Sequence, residues 1–176
     1  MTYADHKKIA PSNARFVILV IGDSRYKQYK EGQEFSDESS ITAKRTIEEK
    51  GFVVSARQLV PDDSARIIGS LLSLIEGDDC DAIVTIGGTG LAKRDVTIES
   101  VKKLIENGKE IPGFGEIFRS LSYLKIGTPA ILSRALAGVI RDKPVFCLPG
   151  SPQSVELGLK ELVLPEIGHI LKHIRD

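Results

Sequence analysis

Tryptophan is absent, methionine occurs once, and cysteine occurs twice, at Cys80 and Cys147. Two cysteines so far apart, with no C-x-x-C spacing, exclude a disulfide framework or a cysteine-based zinc site and fit a reducing compartment. An excess of either charge is also lacking, since Lys+Arg and Asp+Glu both total 24. Zero formal charge removes the basic balance that a nucleic-acid partner would favour, and pairs such as Lys102 and Lys103 read as solvated helix faces. No run approaches the ~18 apolar residues of a membrane helix, and residues 1–14 hold no apolar signal segment. A cytoplasmic protein with neither membrane nor nucleic acid as partner is expected.

What is present fits one domain. A chain of 176 residues buries about 70% of the surface exposed when unfolded and needs no staples. Residues 1–14, polar and containing Pro11, read as an arm; residues 15–176 read as a single domain.

The most informative stretch is residues 83–97, I-V-T-I-G-G-T-G-L-A-K-R-D-V-T. A mostly apolar run breaks into Gly87, Gly88, Thr89 and Gly90, with Lys93, Arg94 and Asp95 following. Three glycines in four positions let backbone N–H groups close on a ligand's oxygens, and the two cations add positive charge, so the loop is suited to phosphate. Asp95 is the misfit, because an anion beside an anion site is unfavourable unless a cation lies between them; phosphate with carboxylate points to Mg²⁺. Spacing excludes two better-known loops. No G-K-[ST] occurs for a P-loop, and Lys93 stands where the third glycine of G-x-G-x-x-G belongs.

Other segments repeat the pattern of a strand emptying into small and polar residues. Residues 16–21 form an apolar run ending in Gly22, Asp23, Ser24 and Arg25. Residues 26–35 are polar and read as irregular. A helix from residue 36 or 37, carrying Ile41 and Ile47, ends at Gly51, with Asp37 and Ser39 in its first turn as capping residues. Residues 52–60 form the next strand, with Pro61, Asp62, Asp63 and Ser64 at its exit. The following helix shows Ile68, Leu71, Leu72 and Ile75 at helical spacing and closes at Gly77. Asp62 or Asp63 caps it, which leaves the other aspartate unexplained.

A helix over residues 98–107 stops at Gly108. Pro112 opens another, with Phe114, Ile117, Phe118 and Leu121 on one face and Glu116 off it. Thr128 as N-cap and Pro129 at N1 start a short helix through Ser133 and Arg134, where Arg134 reads either as a surface arginine or as a bidentate clamp for a phosphate. Val139 and Ile140, a turn at residues 141–143 and residues 144–148 read as a hairpin, which gives one antiparallel strand. Pro149, Gly150, Ser151 and Pro152 follow. The last helical segment, residues 153–174, is expected to kink or split at Pro165. His169 and His173 stand at i, i+4 but lack a third metal ligand nearby.

This alternation predicts a three-layer α/β/α sandwich with a mostly parallel sheet and one antiparallel strand. Ligands in such folds bind beyond the carboxyl ends of the strands. The exits after residues 21, 60, 86 and 148 therefore collect glycines, hydroxyls and carboxylates at one edge.

G-G-T-G-x-x-x-x-D after an apolar strand resembles the signature of the MoaB/MogA family of molybdenum-cofactor biosynthesis proteins. Residues 112–116, Ser133 with Arg134, and residues 149–152 resemble further family segments in the same order. The resemblance implies a MoaB/MogA-like fold and a molybdopterin adenylyltransferase that uses ATP and Mg²⁺, or alternatively a non-catalytic molybdopterin-binding or assembly protein. It implies that Asp62 and Asp95 are catalytic and metal-binding. It further implies a substrate site at Asp23, Ser24, Ser39, Gly87, Gly88, Thr89, Gly90, Lys93, Arg94, Glu116, Ser133, Arg134, Pro149, Gly150, Ser151 and Pro152. A homo-oligomer, trimer or hexamer, and a molybdenum-insertion partner are implied as well. The chain departs from the family at Gly22, where serine is common, and at Ser40, where glycine is usual; both departures concern contacts on the pterin side.

Overall fold

The apolar runs form strands, and the strands form one sheet. A computed structural model describes residues 13–32, 37–106 and 108–176. In it β1 (Arg15–Ile21), β2 (Val53–Val60), β3 (Ala82–Ile86), β4 (Lys109–Glu110), β5 (Leu136–Ile140) and β6 (Lys143–Leu148) are bonded in the order β2-β1-β3-β6-β5-β4. β1 pairs in parallel with β2 and β3, and β3 pairs in parallel with β6. β5 runs antiparallel to both β4 and β6, which is the expected single reversed strand. β4 is too short to carry a period and was not visible in the sequence pattern.

Central β1 and β3 are buried on both faces. Phe16, Ile18 and Val20 face α2 (Glu38–Glu49), α5 (Pro112–Ile126), α6 (Pro152–Gly158) and α7 (Leu164–Arg175). The alternate side chains Val17, Leu19 and Ile21 face α3 (Ser64–Glu76) and α4 (Thr97–Ile105). Two apolar clusters thus hold one sheet between two helical layers. β2, at the edge, alternates in exposure instead.

Several local expectations are corrected. The loop after β1 and the first half of the polar stretch read as irregular, residues 26–35, form a helix instead, α1 (Asp23–Lys30), that buries no side chain; without an apolar stripe it has no readable period. α3 buries Ile67, Leu71, Leu74 and Ile75 rather than the set led by Ile68, because adjacent isoleucines and leucines let helical spacing match two faces. α5 buries Phe114 and Phe118, with Phe114 5.5 Å from the Phe146 ring, yet exposes Ile117. Ile41 of α2 is also exposed. Thr128 makes no cap; the turn Thr128–Leu132 is a 3₁₀ helix entered directly from Gly127 at φ 68° and ends before Ser133. α4 ends at Ile105, and Asn107 lies outside the described residues, as do residues 33–36 and residues 1–12 of the expected arm.

The C-terminal helix splits as expected. A π-helical turn, Leu159–Val163, separates α6 from α7, and Pro165, which has no N–H to donate, falls in the first turn of α7. On α7 the His169 and His173 Nε2 atoms are 2.8 Å apart, far along the chain from the strand exits.

Candidate active site

Four strand exits meet over the carboxyl ends of β1, β2, β3 and β6. They enclose a cleft of about 710 Å³ whose lining includes Asp23, Ser24, Asp62, residues 87–90, Arg94, Asp95, Ser133, Arg134, Pro149 and Gly150.

The loop after β3 is shaped by its glycines. Gly87 and Gly88 take φ of 98° and 61°, and a Cβ on Gly87 would stand 2.5 Å from the Ile21 carbonyl oxygen. Three successive carbonyls are then tied down. The Thr97 hydroxyl donates to Gly87 O at 2.9 Å, the Thr97 N–H to Gly88 O at 3.0 Å, and Arg134 Nε to Thr89 O at 2.8 Å. In a trans peptide the next N–H points opposite to the carbonyl. The N–H groups of Gly88, Thr89 and Gly90 are accordingly turned away from these partners, and none has an acceptor among the described residues. Three consecutive open N–H groups in a cleft wall make an anion nest.

The aspartates divide the work that the sequence left ambiguous. Asp63 caps α3, accepting from Arg66 N at 2.9 Å. Asp62 is therefore free to serve the cleft. It accepts the Asp23 N–H on Oδ2 at 2.9 Å, and its own N–H donates to Asp23 Oδ1 at 3.0 Å. Its Oδ1 is buried without a hydrogen-bond partner. Burial raises the Asp62 pKa above the ordinary carboxylate range; the Asp23 N–H opposes this, the charges of Asp23 and Asp95 add to it, and Arg94 opposes it. Asp95 Oδ2 accepts from Ala92 N at 3.0 Å, which closes the loop on itself. A buried carboxylate oxygen lacking a partner, in the field of a second carboxylate, fits a divalent cation. Among the described residues no three His, Cys, Asp or Glu side chains converge, so the remaining ligands would be phosphate oxygens and water, as is usual for Mg²⁺.

Other expected site residues take supporting places. Ser39, buried, donates to Gly150 O at 2.6 Å from beneath the cleft floor. Ser151 is the N-cap of α6, accepting from Ser154 N, with Pro152 behind it, and neither lines the cleft. Lys93 is exposed outside the lining. Glu116 lines a separate hollow of about 370 Å³, which shares Arg134 with the main cleft. The expectation for Arg134 is revised: its terminal nitrogens bond both oxygens of Glu99, at 2.7 and 3.0 Å, so the fork expected for phosphate is occupied. This pairing lowers the Glu99 pKa.

Thr97, Glu99 and Gln28 were not singled out from sequence, whereas Arg25 reads there as the end of the loop after residue 21. Arg25 and Gln28 line the cleft from α1, and Arg25 Nε stands 2.8 Å from Oδ1 of buried Asp37, the cap of α2. Gly22 and Ser40 are both accommodated. A Cβ at Gly22 would make only ordinary contact with Arg25, and Ser40 Oγ donates to Asp37 O at 3.0 Å.

Residues 17–169 match a family model described as a probable molybdopterin binding domain. Molybdenum cofactor biosynthesis protein B of Bacillus cereus is 43% identical over 97% of this chain and 96% of its own length. A protein of Methanocaldococcus jannaschii named probable molybdopterin adenylyltransferase is 39% identical over 97% of this chain and 99% of its own. Among solved structures, a molybdenum cofactor biosynthesis protein B superposes with a TM-score of 0.85 at 42% identity, covering 94% of this chain and 98% of that one. The tungsten cofactor synthesizing protein MoaB from Pyrococcus furiosus gives 0.80 at 36% identity, covering 95% and 100%.

Proposed function

The chain belongs to the MoaB/MogA family of molybdenum cofactor biosynthesis proteins, and from that premise we propose that it is a molybdopterin adenylyltransferase. The observation that carries this reading is that one cleft is lined both by Gly88, Thr89 and Gly90, whose N–H groups have no acceptor among the described residues, and by two carboxylates, Asp62 and Asp95. A site for phosphate alone would be weakened by those carboxylates; a site for phosphate with a cation uses them.

In the proposed reaction an oxygen of the terminal phosphate of molybdopterin attacks the α-phosphorus of ATP. A new P–O bond forms, the bond to the β-phosphate oxygen breaks, and pyrophosphate leaves with that electron pair. The attacking phosphate is already ionised, so no strong base is needed, and catalysis reduces to positioning and charge stabilisation. The N–H groups of residues 88–90 hold phosphoryl oxygens, and Arg94 adds positive charge at the cleft wall. Asp62 and Asp95 would hold Mg²⁺, which when bound neutralises charge on phosphoryl oxygens. Asp23 fixes Asp62 through its backbone, and Ser39 fixes Gly150.

Incubation with molybdopterin, ATP and Mg²⁺, followed by mass detection of adenylylated product, tests this reading. Asp95→Asn keeps an acceptor for Ala92 N but loses the charge, and should lower turnover by about two orders of magnitude. Undiminished turnover in both Asp62→Asn and Asp95→Asn would remove the carboxylates from the chemistry. Binding of molybdopterin by the wild type with no product would instead favour a binding module.

A further inference from the structure

The start of α4 controls the whole phosphate nest. Thr97 ties the carbonyls of Gly87 and Gly88 directly. The third carbonyl, that of Thr89, lies beyond its reach and is held by Arg134. All three nitrogens of that guanidinium are engaged, Nε by Thr89 O and the terminal pair by the two oxygens of Glu99. A bidentate fork fixes the plane of a guanidinium, so Glu99 sets the direction in which Nε points.

We propose that Glu99 is a positioning residue for the nest, acting through Arg134 to turn the Gly90 N–H toward a bound phosphate. The inference rests on the reading that residues 88–90 bind phosphate. Stability does not account for the pair, because the Glu99 side chain is 51% exposed and an exposed ion pair contributes little to folding. A direct phosphate clamp by Arg134 would require the arginine to release Glu99. The two accounts therefore differ in sign. If Arg134 is the ligand, removing Glu99 frees it and strengthens binding; if Glu99 positions it, removing Glu99 weakens binding.

The test is calorimetric titration of ATP with Mg²⁺ into wild type, Glu99→Ala, Arg134→Ala and the double variant, with ligand-free melting temperatures alongside. Each single variant should bind about tenfold more weakly, and the double variant no more weakly than either, since the two residues act as one unit. Ligand-free melting of Glu99→Ala should move by no more than about 2 °C. Glu99→Gln keeps the volume and one acceptor; it should bind between wild type and Glu99→Ala, and it replaces the alanine variant if that one fails to fold. Wild-type or tighter affinity in Glu99→Ala, with loss in Arg134→Ala, would overturn the relay and leave the nest intact. Equal affinity in wild type and Gly88→Val would place the phosphates elsewhere, and the relay would fall with the nest.

Discussion

Asp23 and Asp62 each donate a backbone N–H to the other's carboxylate, at 2.9 and 3.0 Å respectively, across the exits of β1 and β2. The reciprocal bonds bind two loops of the cleft into one wall. They also leave Asp62 Oδ1 buried and without a hydrogen-bond partner among the described residues, so the wall holds a carboxylate whose charge is under-compensated.

Stability should report this directly. Burial raises the folded pKa of Asp62 above the ordinary aspartate value of 3.8, so between the two values the native state holds a proton that the unfolded chain has released. The stability contributed by the protonated group is full below the ordinary value and is lost as pH rises through the folded one. Asp62→Asn carries no charge at any pH and keeps an acceptor for Asp23 N. It should melt at or above wild type near neutral pH, with the gap closing as pH falls toward 3.8. A variant clearly less stable than wild type near neutrality would mean that the clasp needs both carboxylate oxygens.

Gly87→Ala should weaken both folding and binding at the nest. Its φ of 98° is strained for alanine, and the new methyl would press on the Ile21 carbonyl oxygen at 2.5 Å. A loss of about 2–3 kcal/mol follows, or roughly 5–10 °C in a chain of this size. The ATP-induced thermal shift should shrink as well. Unchanged melting would show that the loop can adopt another backbone path.

Both thiols should be silent in the native protein. Cys80 and Cys147 are buried; burial pushes the Cys147 thiol up to about 12 and raises that of Cys80. Thiolate is the reactive form. A colorimetric thiol reagent at mildly alkaline pH should find none before denaturation and both after it. Native reactivity of Cys147 would indicate opening of the central sheet, where it lies opposite Thr85 and Leu136.

What the sequence made legible follows the physics of each signal. Strands covered on both faces, such as residues 16–21 and 83–86, read as continuous apolar runs, and the glycines and aspartates at their exits named most of the cleft. α1 escaped because it buries nothing. The α3 face was displaced because Ile67 and Ile68 satisfy one period equally. The second aspartate, left over once one was assigned to capping, was resolved by geometry that no spacing encodes: Asp63 faces Arg66 N, and Asp62 faces Asp23. Thr97 and Glu99 act on the loop from a neighbouring helix turn. Their types are unremarkable at those positions, and only the fold sets Thr97 against the Gly87 and Gly88 carbonyls and Arg134 between Glu99 and Thr89.

The end of α5 and the 3₁₀ turn expose Leu124 at 80% and Ile131 at 83%, beside Tyr123, around an apolar hollow of about 630 Å³. A continuous apolar face of this kind is a natural contact between copies of the chain, and we propose that the homo-oligomer expected from the family is built on it. Burying such a side chain contributes about 1.5–3 kcal/mol, so Leu124→Glu with Ile131→Glu removes two contributions and adds two charges. Light scattering should then give a smaller mass than wild type at the same concentration, while the fold, in whose core neither residue takes part, is retained. Pro129 and Leu132 of the same 3₁₀ turn line the cleft, so assembly on the outer side of the turn braces the wall on its inner side. Weaker ATP binding should accompany the smaller mass. An unchanged mass would place any contact between copies elsewhere, and a smaller mass with undiminished ATP binding would show that the cleft is complete in one chain.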